Sequence, residues 1–207
     1  VFKEIEVLKR TNVDYRSKRG YTQQMIDRYH PSSIEFKVAS ISEETPTSKR
    51  IRLVSTNGYL PPFISGKFIN LSVVVNGVHT SRAYTIASSD AERSYYEIIV
   101  KESPDGFVSD YMLHTLKVGD VLNGSAPSGN FYRFDAVHGK KHCLIAGGSG
   151  ITPFLSMIQS DFDRMVTDRE TVLIYGCNKV DVENKFNKIF KKDKAFIIRT
   201  ERLSNKN

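Results

Sequence analysis

The sequence predicts two consecutive domains, an antiparallel Greek-key β-barrel followed by an α/β domain built on a Rossmann-like parallel sheet. From Ile34 to about residue 125, short β-prone runs alternate with turn residues, a pattern typical of a closed barrel or sandwich. After Phe134, more continuous apolar strands alternate with helical segments, which indicates a parallel sheet covered on both faces. The 207 residues are enough for two cores of this kind.

The chain divides into three parts that differ in their pattern of polar and apolar residues. Residues 1–33 form a polar, basic N-terminal extension, in which a single short helix is predicted around Thr22 to Tyr29. We assign residues 34–136 to the barrel domain and residues 137–207 to the α/β domain. The boundary falls near the segment "RFDAVHGKK", where the β pattern gives way to the alternating one.

Two local signals order the elements of the barrel half. Asn76-Gly77 stands between two β-prone runs, and both residue types accept the positive φ of a two-residue hairpin turn. The strand that ends near Val75 is therefore expected to pair with the strand that carries Arg82. Residues 107–118 have apolar side chains at helical spacing, and this helix is expected to cover one end of the barrel.

The α/β half has a clear order of segments. Strand "KHCLIAGG", helix "PFLSMIQSDF", strand "TVLIYGC", helix "VENKFNKIFKK" and strand "AFIIRT" follow one another. Parallel strands joined by helices bring the carboxyl ends of the strands, and the turns that follow them, to one edge of the sheet.

Composition indicates a soluble globular protein, with 40% hydrophobic and 26% charged residues. No apolar run approaches the ~18 residues that suggest a membrane span, and charges interrupt the N-terminus where a signal peptide has its apolar core. The only cysteines, Cys143 and Cys177, are too few to hold an iron–sulfur cluster with four thiolates, and no metal site is predicted. We expect a cytoplasmic protein in a reducing compartment.

The formal net charge of +7 is spread along the chain. It indicates either a solvated surface or a docking face for an acidic partner or for phosphate-bearing ligands. Nucleic-acid binding is not predicted, because the basic residues are not clustered with aromatic ones.

The stretch "CLIAGGSGITPF" carries the clearest ligand signal. A strand ends in Gly147, Gly148 and Gly150, and Pro153 opens the following helix, where its missing N–H costs nothing. Glycines admit a ligand close to the backbone, and free N–H groups at a helix start attract a pyrophosphate. The pattern resembles the Rossmann fingerprint, although proline replaces its third glycine and the usual acidic residue is not evident. The alternative is a tight strand-to-helix turn with no ligand.

The stretch "RAYTIASS" carries a second signal. Alternation along a strand puts Arg82 and Tyr84 on one face and Thr85 on the other. An arginine beside a flat aromatic ring suits a planar ligand that bears a phosphate, although a cross-strand surface pair is the alternative. Gly106 and Ser109, before and at the start of the predicted helix, would form another anion cradle. The alternative there is an ordinary capping serine.

Together these motifs resemble the ferredoxin–NADP reductase superfamily, which pairs a flavin-binding β-barrel with a nucleotide domain. The resemblance rests on "RAYTIAS" (82–88), "GFVS" (106–109), "GSAPSGNF" (124–131), "GGSGITP" (147–153) and "IYGC" (174–177), in that order. Several ordered motifs are far more specific than any one of them.

The resemblance implies FAD as the bound cofactor and NAD(P)H as the hydride donor. Arg82 would contact the flavin phosphate, Tyr84 would pack on the isoalloxazine, and Thr85 would hydrogen-bond its reactive edge. Thr85 and Thr152 would flank the place where the two rings meet and are the predicted catalytic residues. In the barrel the implied cofactor-binding residues are Arg82, Ala83, Tyr84, Thr85, Ile99, Val100, Lys101, Gly106, Val108 and Ser109. In the nucleotide domain they are Gly147, Gly148, Gly150, Ile151, Thr152, Pro153, Tyr175, Gly176 and Cys177.

The implied function is a flavoprotein oxidoreductase that passes electrons singly from FAD to an iron–sulfur or other redox partner. Two alternatives stay open: a flavin subunit that works in reverse with an iron–sulfur partner, and a catalytically silent binding module of the same fold. NADH and NADPH are not distinguished, although Lys179 would lie near a 2′-phosphate. The family's nucleotide domain has further strands, so we expect this one to be partial at its C-terminus, and an iron–sulfur domain could follow Asn207.

Overall fold

The computed structural model describes residues 20–176 and 197–200, together with Glu6 and Arg10. Helix α1 (Tyr21–Tyr29) lies within the N-terminal extension, close to the predicted bounds. None of its residues is buried. Its Arg28 guanidinium lies over the Tyr59 ring, 4.9 Å from the ring centre.

The first sheet is antiparallel and closes into the predicted barrel. Its strands are β1 (Ile34–Thr45), β2 (Ser48–Ser55), β3 (Phe68–Val75), β4 (Val78–Thr85), β5 (Tyr96–Lys101) and β6 (Val121–Gly124). They lie in the order β4-β3-β6-β1-β2-β5. A bridge between Ile86 and Ile98 joins the chain after β4 to β5 and so connects the two edges of the sheet. The non-sequential strand order confirms the predicted Greek-key arrangement.

Side-chain alternation explains why these segments form a barrel. In β3, Ile69, Leu71 and Val73 are buried, and the residues between them are exposed. The inward side chains of the strands form one apolar core. The predicted hairpin at Asn76-Gly77 is confirmed, with φ values of 50° and 78° and Val75 opposite Val78.

The helical segment over the barrel lies where the sequence predicts it but is not a regular α-helix. Helix α2 (Phe107–Asp110) continues into a π-helical turn (Tyr111–Thr115), in which the Leu116 N–H donates to Tyr111 O at 3.0 Å. Met112 and Leu113 of this turn are buried in the barrel core. The segment therefore covers one end of the barrel, as predicted.

The second sheet is parallel, with the order β7-β8-β9, which confirms the predicted α/β domain. Its elements are α3 (Asp135–His138), β7 (Lys141–Gly147), a 3₁₀ turn (Gly148–Ile151), α4 (Thr152–Asp163), β8 (Glu170–Gly176) and β9 (Ile197–Thr200). Helix α4 packs against Leu144 and Ala146 of β7, whereas Cys143 and Ile145 on the other face of that strand are exposed. The predicted helix "VENKFNKIFKK" lies outside the described residues.

No helix in the part of the chain that the structure describes is long and apolar enough to cross a membrane.

Candidate functional site

The end of strand β4 places the predicted arginine and tyrosine on one side of the sheet. Arg82 lies opposite Leu71 and Tyr84 opposite Ile69 on strand β3, and directly opposed residues share a face in an antiparallel pair. Tyr84 is half-buried and packs on the barrel core, whereas Arg82 is exposed. Thr85 is half-buried and points to the opposite face.

Arg82 is a cation without a carboxylate partner among the described residues. Its Nη1 donates to Thr80 Oγ1 at 3.0 Å and to the carbonyl of Ser81 at 2.8 Å. Burial raises the pKa of the Tyr84 phenol, and the neighbouring Arg82 charge offsets this only in part. The strand thus presents a neutral ring beside an uncompensated positive charge, which suits a planar ligand with a phosphate.

The start of helix α2 does not show the capping serine that the sequence offers as the alternative to an anion cradle. Ser109 Oγ does not cap the helix; it donates back to the carbonyl of Gly106 at 3.2 Å. A Cβ at Gly106 would lie 2.8 Å from the backbone carbonyl oxygen of Ser103, so the fold itself favours glycine there. The first N–H groups of a helix have no intrahelical acceptor. The turn can offer these backbone N–H groups to an anion, and Val108, whose side chain is buried, can offer only its backbone.

The glycine stretch forms an open turn between β7 and α4. Gly148 has φ +51°, and a Cβ added at Gly147 or Gly150 would meet nothing within 4 Å. The Tyr175 hydroxyl donates to Gly148 O at 3.0 Å. The side of the turn that carries Gly147 and Gly150 therefore has room for a ligand close to the backbone.

The residues at the start of α4 are held by the fold. Pro153 lies in the first turn of the helix, and Ile151 and Thr152 are buried. Thr152 Oγ1 donates to the carbonyl of Ser149 at 2.8 Å. This hydroxyl orients the turn. The groups that the start of α4 can offer to an anion are its free backbone N–H groups.

The end of strand β8 supports the glycine turn. Tyr175 is buried, and its hydroxyl supplies the hydrogen bond to Gly148. This supporting role is not predicted from the sequence, where the motif assigns Tyr175 to the ligand itself. Gly176 ends the strand, and Cys177 lies outside the described residues.

Strand β5 lies between the end of β4 and the glycine turn. Ile98 bridges to Ile86, the residue after Thr85. The next residue, Ile99, packs against the core of the α/β domain, to which Ile151 belongs. Val100 is buried in the barrel core, and Lys101 ends the strand before the loop to Gly106. One strand thus connects all three predicted binding elements.

Helix α4 also contacts the barrel loops directly, a feature that the sequence pattern does not predict. Ser156 is fully buried and its Oγ donates to the carbonyl of Ser88 at 2.6 Å. The rings of Phe131 and Phe154 meet edge to face, with centres 5.6 Å apart. Serines four residues apart in an apolar helix, Ser156 and Ser160, are the signal that could have revealed a buried polar contact.

No cluster of three or more histidine, cysteine, aspartate or glutamate side chains in the described ranges could hold a metal ion.

Two family models match the chain, one in each domain. Residues 36–132 match the oxidoreductase FAD-binding domain, and residues 144–188 match the oxidoreductase NAD-binding domain. The predicted FAD and NAD(P)H correspond to these two types of domain.

Curated relatives share these regions. The chain is 31% identical over 166 residues to the flavohemoprotein of Candida albicans, covering 78% of this chain and 40% of that protein. It is 36% identical over 124 residues to the carnitine monooxygenase reductase subunit of Escherichia coli, covering 59% of this chain and 38% of that protein. The chain thus spans about two fifths of the length of these relatives.

Solved structures share the fold. The flavohem-like FAD/NAD-binding domain of nitric oxide dioxygenase from Vibrio cholerae superposes with a TM-score of 0.73 at 21% identity, covering 80% of this chain and 73% of that one. Phthalate dioxygenase reductase superposes with a TM-score of 0.68 at 27% identity, covering 81% of this chain and 51% of that one. The latter is described as a modular structure for electron transfer from pyridine nucleotides to a [2Fe-2S] cluster.

Proposed function

The chain belongs to the ferredoxin–NADP reductase superfamily, and on that premise we propose that it is the reductase part of a flavoprotein. In this proposal the barrel domain (residues 34–136) binds FAD and the α/β domain (residues 137–207) binds NAD(P)H. The nucleotide donates a hydride to the flavin, and electrons leave one at a time for an acceptor. The observation that carries the proposal is strand β5, which adjoins both the end of β4 and the glycine turn.

The barrel residues fit the proposed flavin. Arg82 is exposed and lacks a carboxylate partner in the described part of the chain, so it is available to a phosphate. Tyr84 offers a neutral, half-buried ring to the isoalloxazine. The N–H groups at the start of α2 would hold the pyrophosphate, which favours FAD over FMN. Ala83 and residues 99–101 would contribute mainly backbone groups to the flavin site.

The nucleotide domain fits a nicotinamide dinucleotide. The open space at Gly147 and Gly150 admits a pyrophosphate close to the backbone, and the start of α4 supplies N–H groups. The hydrogen bonds from Thr152 and Tyr175 hold the turn in shape before the ligand arrives. A preformed site reduces the entropy lost on binding.

The flavin would supply the redox chemistry, since it accepts a hydride and releases single electrons. The chain itself would bind the flavin and the nucleotide and orient them towards each other. Thr85, at the end of β4, would donate a hydrogen bond to the reactive edge of the bound ring. Packing of Ile99 on the nucleotide domain would keep the two binding sites side by side, because hydride transfer requires the reacting atoms to be ~3–3.5 Å apart.

The relatives support an iron–sulfur or haem group as the acceptor. Those similar to this chain include the reductase subunits of carnitine and glycine betaine monooxygenases, flavohemoproteins and a [2Fe-2S] reductase. We propose a carrier of that kind as the partner, either in a separate protein or in another domain of the same polypeptide.

Absorbance tests the proposal directly. Purified protein, reconstituted with FAD, should show the absorbance bands of bound oxidised flavin, and these should bleach when NADH or NADPH is added without oxygen. Comparison of the two bleaching rates identifies the preferred nucleotide. A protein that takes up no FAD would refute the proposal, and one that binds FAD but is never reduced by either nucleotide would be a silent binding module.

A further inference from the structure

The two domains meet at a buried polar contact centred on Asp90. Its carboxylate accepts hydrogen bonds from the Ser65 N–H (3.0 Å), Ser160 Oγ (2.5 Å) and Arg164 Nη2 (2.8 Å). Ser65 belongs to a barrel loop, whereas Ser160 and Arg164 lie in or just after helix α4. Asp90 itself is only 6% exposed. One buried carboxylate therefore holds groups from both domains.

Small polar side chains continue this contact along α4. Ser65 Oγ donates to the carbonyl of Ser156 at 3.1 Å, and Ser156 Oγ donates to the carbonyl of Ser88 at 2.6 Å. Each of these serines is buried. Hydrogen bonds between buried groups are directional, so they fix the helix against the barrel more narrowly than apolar contact alone.

Both sides of the contact lead to proposed binding elements. On the barrel side, Asp90 follows Thr85 by five residues, and the intervening chain is pinned to β5 by the bridge of Ile86 to Ile98 and the 2.6 Å hydrogen bond from the Ala87 N–H to Glu97 O. On the other side, α4 begins at Thr152, directly after the glycine turn. At a rise of ~1.5 Å per residue, Ser160 lies ~12 Å from Thr152 along that rigid helix.

We propose that Asp90 is a positioning residue that sets the glycine turn relative to the end of β4, and so the nicotinamide relative to the flavin. The inference rests on the function proposed above. Asp90 does not belong to either predicted binding set, and it acts only through the geometry of α4. A misplacement of ~1 Å between reacting groups can slow a reaction ~100-fold, so loss of this contact should slow hydride transfer while FAD stays bound.

The first test compares Asp90→Ala and Asp90→Asn with Asp163→Asn in the full-length protein. Asp163 is an exposed carboxylate on the same helix whose hydrogen bond is to Gln159, so it is a matched control. Anaerobic stopped-flow at saturating nucleotide measures flavin reduction per bound FAD. We expect a ~10- to 100-fold lower rate for the alanine variant, a smaller loss for asparagine and the wild-type rate for the control. Reduction by dithionite, which needs no nucleotide domain, should be unchanged.

The second test does not depend on catalysis. Spin labels on the exposed Cys143 and on Val74→Cys, in a Cys177→Ser background, report the distance between the domains. We expect a narrow distance distribution for the parent and for Asp163→Asn, and a broader or shifted one for Asp90→Ala. If the Asp90→Ala variant does not fold, the same measurement is made on Asp90→Asn, whose side chain has nearly the same shape as aspartate.

The outcomes separate the two proposals. A wild-type rate of hydride transfer in Asp90→Ala overturns the positioning role, as does an unchanged distance distribution. If the parent protein binds FAD but no nucleotide reduces it, the proposed function fails, and the spin-label distances alone then decide whether Asp90 holds the domains together.

Discussion

Replacing Arg82 with alanine is expected to weaken FAD binding without weakening the fold. The side chain is exposed, and its hydrogen bonds go to Thr80 and Ser81, which are its neighbours in β4. Surface substitutions of this kind usually change the free energy of unfolding by less than ~0.5 kcal/mol. Any large effect of the substitution should therefore appear in the affinity for the cofactor.

The size of that effect follows from the proposed contact. A hydrogen bond to a charged group contributes ~1.5–3 kcal/mol, and 1.4 kcal/mol corresponds to a tenfold change in Kd. Loss of the arginine–phosphate contact should therefore raise the Kd for FAD by ~10- to 150-fold. Because the contact is electrostatic and partly exposed, the difference should shrink at high salt.

The assay titrates apoprotein with FAD, FMN and riboflavin and follows flavin absorbance and fluorescence. Riboflavin has no phosphate, so the Arg82→Ala variant should bind it as the parent does. Arg93→Ala removes another exposed arginine, from the loop before β5, and should leave all three affinities unchanged. An equal loss of affinity for FAD and riboflavin, or no loss at all, would refute the role given to Arg82.

Three further predictions concern other elements. Gly150→Ala should leave the free energy of unfolding unchanged, because the added Cβ meets nothing within 4 Å. It should raise KM for the nucleotide ~10-fold or more, because the added methyl group would contact the ligand, whereas the control Ser149→Ala should leave KM unchanged. A normal KM in Gly150→Ala argues against a nucleotide at this turn. Burial raises the pKa of Tyr96 above its usual 10.0, so the contribution of Tyr96 to the free energy of unfolding should be constant below pH ~10 and fall above it, where this side chain ionises first in the unfolded chain. Tyr96→Phe should reduce that fall in alkaline chemical denaturation and cost ~1–2 kcal/mol at pH 7, because the Pro61 carbonyl loses its donor; an unchanged alkaline slope contradicts this. Glu97→Gln should cost ~1–2 kcal/mol in the same assay, because the buried Glu97 carboxylate pairs with two arginines of β2, of which Arg50 keeps its pair with Glu44 and Arg52 is partly exposed; a loss below ~0.5 kcal/mol would mean that the pairs are effectively solvated.

The sequence predicted those features that depend on local geometry. Asn76-Gly77 specifies a hairpin through its positive φ values, and the glycine stretch with Pro153 specifies a strand-to-helix turn. Alternation along β4 placed Arg82 and Tyr84 on one face. In each case the residues that determine the structure are close together in the chain, so their pattern is sufficient.

The features that were missed depend on distant partners. Asp90 and Ser160 are 70 positions apart in the chain, and the Tyr175 hydroxyl reaches Gly148 across 27 positions. Ser109 satisfies the pattern of a capping serine, but its hydroxyl donates to the Gly106 carbonyl instead. A single sequence shows that such polar groups exist but does not show which partner satisfies them when they are buried.

The contact between the domains suits a reaction in which two bound rings must meet at a fixed distance. An apolar interface such as that of Phe131 with Phe154 lets helices slide by small amounts, because dispersion is not directional. The Asp90 carboxylate instead requires Ser65 and Ser160 to keep their positions, since a displaced donor would leave a buried charge unsatisfied. Asp90 follows Thr85 by five residues, so its hydrogen bond with Ser160 ties helix α4 to the segment that carries the proposed reacting edge. A reductase whose domains moved freely would need no buried charge there, which is why the Asp90 variants test the mechanism as well as the fold.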